Sequence, residues 1–73
     1  MNAKELFESL GYHRYANNKK IICYVANEDY KRIKFKLEQN KLTIHSDVNM
    51  ELLGAIIKQC IEIGWQPVLE VKQ

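Results

Sequence analysis

The apolar pattern of this chain changes period twice, and that switch restricts the fold more than any other feature of the sequence. Ala3, Leu6, Phe7 and Leu10 recur at helical spacing. From Tyr12 to Ser46 the period drops to two, the residues become aromatic and β-branched, and turn-forming clusters fall at hairpin intervals. From Met50 to Ile63 helical spacing returns. Short hairpins cannot connect parallel strands, which need long crossovers. The order therefore predicts an α+β, two-layer domain, α-β-β-β-β-α, whose antiparallel sheet carries both helices on one face.

The first helix can start on Asn2 as its cap and end at Gly11, with Lys4, Glu5, Glu8 and Ser9 turned to water. Tyr12 to Ala16 reads as a first strand, Asn17-Asn18 as a turn, and Lys19 to Val25 as a second strand. Asn27-Glu28-Asp29 is the next turn. Tyr30 to Leu37 alternates cleanly: Ile33, Phe35 and Leu37 point inward, Arg32, Lys34 and Lys36 outward. After a turn at Gln39-Asn40, Leu42 and Ile44 continue the inward set, and Lys41, Thr43 and His45 the outward one.

Asn49 offers a cap to a second helix that runs to Gly64. At about 100° per residue, Leu52, Ile63, Ile56, Cys60, Leu53, Ile57, Met50 and Ile61 fill an arc of roughly 180°, with Glu51, Ala55, Lys58 and Glu62 opposite and Gly54 on the polar flank. A helix lying on a sheet needs an apolar stripe of only about 100°. The excess predicts contact with the first helix, the C-terminal tail or a partner chain. In that tail Val68-Leu69-Glu70-Val71 has strand propensity and can add a C-terminal edge strand.

Seventy-three residues make one small domain, 1–73, which buries about 60% of the surface its unfolded chain exposes. No run approaches the roughly 18 apolar residues of a membrane span, and Glu5 and Glu8 stand where a secretory signal carries apolar residues. A cytoplasmic location is expected. Cys23 and Cys60 are accordingly read as reduced, core-lining residues.

The opening segment Lys4-Glu5-Leu6-Phe7-Glu8-Ser9-Leu10-Gly11-Tyr12, the basic strand Lys34-Phe35-Lys36-Leu37 and the ending Met50-Glu51-Leu52-Leu53-Gly54-Ala55-Ile56-Ile57-Lys58-Gln59-Cys60-Ile61-Glu62-Ile63-Gly64-Trp65 resemble small uncharacterised proteins of phages, prophages and mobile elements in Gram-positive bacteria. The resemblance is one of architecture and phrasing. It implies an accessory-element context and brings no catalytic residues with it.

No constellation for catalysis stands out. His45-Ser46-Asp47 holds the residue types of a hydrolase triad, but neighbours on a strand face opposite ways and a triad needs convergence. Cys23 lies in an apolar run that does not favour a thiolate nucleophile. A metal site would have to gather Cys23, Cys60, His13 and His45 from four separate elements. The three glycines are isolated, so no phosphate-cradling loop is present. The expectation is a non-enzymatic protein with no cofactor and no small-molecule substrate.

Charge is distributed unevenly. Residues 13–41 carry +5, residues 1–12 carry −1 and residues 42–73 carry −2, so the mild formal total of +2 conceals a basic sheet. Lys20, Arg32, Lys34, Lys36 and Lys41 are the candidate residues for a nucleic-acid contact, with Tyr24 or its neighbours Lys20 and Ile22 joining them according to register. Trp65, Val68 and Val71 are the candidates for a protein interface. Two readings follow: an accessory protein that binds another protein or its own copy as a homodimer, and a single-strand binder using the sheet's outer face.

Overall fold

The computed structural model describes residues 1–26 and 30–65. The elements are α1 (Ala3–Ser9), β1 (Tyr12–Asn17), β2 (Ile21–Ala26), β3 (Arg32–Lys36), β4 (Lys41–His45) and α2 (Met50–Glu62). The strands form one antiparallel sheet in the order β1-β2-β3-β4, giving the expected α-β-β-β-β-α architecture. The expected turn at 27–29 and the strand-forming tail with Val68 and Val71 lie outside the described residues.

Each helix begins on an asparagine, because the first turn leaves backbone N–H groups without helical partners. Asn2 Oδ1 accepts from Glu5 N at 2.8 Å, and Glu5 Oε1 accepts in return from Asn2 N, a reciprocal capping box. Asn49 Oδ1 accepts from Leu52 N at 2.8 Å and starts α2. Asn49→Ala is expected to cost about 1 kcal/mol, read as a lower denaturation midpoint with an unchanged slope.

The core is aromatic. Phe7 stacks on Tyr24 with ring centroids 3.9 Å apart and meets Tyr12 and Phe35 edge-on at 6.0 and 6.4 Å. Ile22, Ile33, Leu52, Ala55, Ile56 and Cys60 close the cluster around them. One polar chain crosses this layer: Arg14 Nη2 donates to the Tyr24 hydroxyl at 2.9 Å, and that hydroxyl donates to Gln59 Oε1. No buried side-chain polar atom among the described residues lacks a partner.

The second helix departs from its expected orientation. Ala55, read as polar-facing, is 1% exposed, and Gln59 is buried too. The reason is α1, which lies along this flank of α2, with Ala3 N donating to Glu62 Oε2 at 2.6 Å. A small residue lets the helices approach, and Gln59 is needed beneath them to accept from Tyr24. Met50, Leu53, Ile57 and Ile61 are consequently exposed, so the excess of the arc does not contact α1. None of the described helices is long and apolar enough to cross a membrane.

Candidate functional site

Both helices cover one sheet face, so among the described residues no helix or strand covers the other, and the composition of that open face follows from strand register. Ile21, Cys23 and Val25 of β2 stand opposite Lys36, Lys34 and Arg32 of β3. These three cations in turn stand opposite Lys41, Thr43 and His45 of β4. Directly paired residues share a face. Arg32, Lys34, Lys36 and Lys41 therefore share the open face with His45, as the alternation predicts. Lys20 sits beside this group, in a depression of about 360 Å³ shared with Lys34, Lys36 and Glu38.

The expected aromatic contribution is corrected by the register. Tyr24 and Ile22 are paired with Ile33 and Phe35 and buried on the helix side, so neither reaches the open face. The exposed aromatics are instead Tyr15 and Tyr30, at 75% and 95% exposure. Pairing of β1 with β2 shifts between Arg14 and Ala16, making Tyr15 the unpaired residue of a bulge. Tyr30 stands just before β3 with φ of 55°, a left-handed conformation unfavourable for a bulky side chain. Nothing in the core holds either ring.

Between the two tyrosines is an open hollow of about 810 Å³. Ala16, Ile21, Cys23 and Val25 provide its apolar surface, and Lys31, Arg32 and Lys34 line it as cations. No acidic side chain is among the described residues lining it.

Cys23 is free and buried at 3% exposure, as the sequence predicts, and its side chain lies on this face of the sheet, outside the helix-side cluster. Burial pushes its thiol pKa up, with Lys34 and then Arg32 opposing the shift, so the thiol stays protonated at neutral pH. Cys60 lies in the helix-side core, and its pKa is likewise raised by burial. The cysteines thus occupy opposite sides of the sheet. Ser46 Oγ is engaged by the Tyr12 hydroxyl at 2.9 Å and donates to the Asp47 carbonyl at 3.1 Å. Trp65 packs against Phe35 at 6.0 Å and is half-buried, whereas Val68 and Val71 lie outside the described residues.

The missed tyrosines had only partial signals in the sequence. Tyr15 falls in a segment whose pairing shift depends on a partner strand, and Tyr30 directly follows a turn cluster. Comparison of the chain with protein-family models, curated proteins and solved structures finds no match.

Proposed function

We propose that the open sheet face binds single-stranded nucleic acid without catalysing a reaction on it. The observation that carries this reading is the pairing of two core-independent tyrosines with a hollow whose charged lining, among the described residues, is entirely cationic. Unpaired bases can stack on the rings or lie over the apolar floor, while Lys31, Arg32 and Lys34 meet the phosphates and Lys36, Lys41 and Lys20 extend the track. A duplex conceals its bases from such a surface, so single strands are preferred. This activity suits an accessory protein of the phage and mobile-element kind that the chain resembles.

Fluorescence anisotropy of labelled single-stranded and duplex oligonucleotides at low salt tests the proposal. Single strands are expected to bind with an affinity that falls as salt rises. Tyr15→Ala removes one stacking surface without opening the core and is expected to weaken binding by about 1 to 3 kcal/mol, roughly 5- to 150-fold. Absence of low-salt binding, or equal affinity for duplex and for Tyr15→Ala, would remove this reading.

A further inference from the structure

The open face is ordered along its strands as well as across them. Register sets Val25 beside Arg32, Cys23 beside Lys34 and Ile21 beside Lys36, so β2 carries a row of three apolar side chains and β3 an adjacent row of three cations. Alternate residues on one strand face lie about 6.6 Å apart. Each step along this part of the sheet therefore repeats one apolar side chain and one cation, and the three steps span roughly 13 Å.

Two hollows follow the same line. The larger, of about 810 Å³, has Val25, Cys23 and Ile21 in its lining together with Arg32 and Lys34. The smaller, of about 360 Å³, takes up Ile21 and Lys34 again and continues to Lys36 and Lys20. Shared walls at Ile21 and Lys34 join the two end to end along β2 and β3 as one groove. Its ends differ. Tyr30, 95% exposed, stands beyond Arg32, whereas Glu38 lines the other end, where a carboxylate repels a phosphate.

We propose that this groove seats a run of about four nucleotides lengthwise, with the phosphates over the cations of β3 and the bases over the apolar row of β2. The inference rests on the single-strand reading above and adds to it the path and length of the bound segment. Successive phosphates of an extended strand are separated by a distance close to that between alternate residues of a β-strand, so Arg32, Lys34 and Lys36 can meet three consecutive phosphates. Three phosphates join four nucleosides. Three of the bases lie over Val25, Cys23 and Ile21, and the fourth reaches the Tyr30 ring beyond Arg32. Tyr15, from the bulge beside Cys23, supplies a stacking ring on the flank. Apolar side chains carry no hydrogen-bonding code, so this row selects length more than sequence.

Competition of unlabelled oligothymidylates of about two to eight nucleotides against a labelled strand of about 20 tests the proposal on the unmodified chain. Affinity is expected to rise by about fivefold or more for each nucleotide up to the fourth, and by less than about twofold for each one added beyond it. Arg32→Gln and Lys36→Gln, at opposite ends of the cation row, are each expected to lower the dependence of log affinity on log salt by about 0.7, with unchanged far-UV circular dichroism. A long strand that does not bind at low salt removes the single-strand reading and this proposal with it. Binding of the long strand with an affinity that climbs evenly through the whole length series, or is already complete at the dinucleotide, overturns the lengthwise seat alone. So does a salt slope that responds to one end of the row only, or to neither.

Discussion

Phe7→Ala is expected to lower the thermal midpoint by on the order of 15 to 40 °C. The reasoning starts with helix length. α1 has seven residues, and a helix shorter than about 12 residues is marginal in water, so α1 exists only because it is docked. Its fully buried side chains are Ala3 and Phe7, and of these only Phe7 has appreciable surface to contribute. That ring stacks on Tyr24 and touches Tyr12 and Phe35, so it joins α1 to β1, β2 and β3 together.

Replacing a buried phenylalanine by alanine costs about 3 to 5 kcal/mol. A 73-residue domain has roughly 4 to 11 kcal/mol in total. Loss of Phe7 therefore removes a large share of the stability, and Leu6 and Leu10, only partly buried, cannot replace it. Thermal unfolding followed by circular dichroism at fixed protein concentration measures the effect. A drop of less than about 10 °C would show that α1 is held by something other than this ring.

Periodicity alone predicts the elements because each buries one face of a regular lattice. Ile33 and Phe35 alternate with Lys34 and Lys36, so inside and outside are distinguishable in β3 before any partner strand is known. β2 is different. Ile21, Ile22, Cys23, Tyr24 and Val25 are all apolar, and such a run does not say which residues face the helices. Pairing of Tyr24 with Ile33 decides it, placing Tyr24 under α1 and Cys23 on the open face.

The same dependence on partners explains Tyr15 and Gln59. A bulge is a mismatch between two strands, invisible in either one alone. Gln59 is buried because its acceptor satisfies a tyrosine 35 residues away, a contact that no local pattern encodes. The basic half of the candidate site was thus legible from composition and alternation. The aromatic half was not, because its exposure depends on register.

Reversing Lys34 and Lys36 to glutamate is expected to lower affinity for single-stranded oligonucleotides by on the order of 100-fold. Both ammonium groups stand on the central strand β3 of the open face, opposite Cys23 and Ile21 on one side and Thr43 and Lys41 on the other. Losing two phosphate contacts also reduces the dependence of log affinity on log salt by about 1.4, or about 0.7 per contact. Global charge is a competing cause, because two reversals lower the formal charge by four, from +2 to −2. Reversal of Lys4 and Lys58 on the helices produces the same total charge and separates the two causes. The helix-side variant is expected to bind within a few-fold of the parent and to keep its salt slope, since distant charges are screened beyond about 8 Å at physiological ionic strength. Equal losses in both double variants, with circular dichroism confirming that each is folded, would assign the binding to net charge and remove the open face as the site.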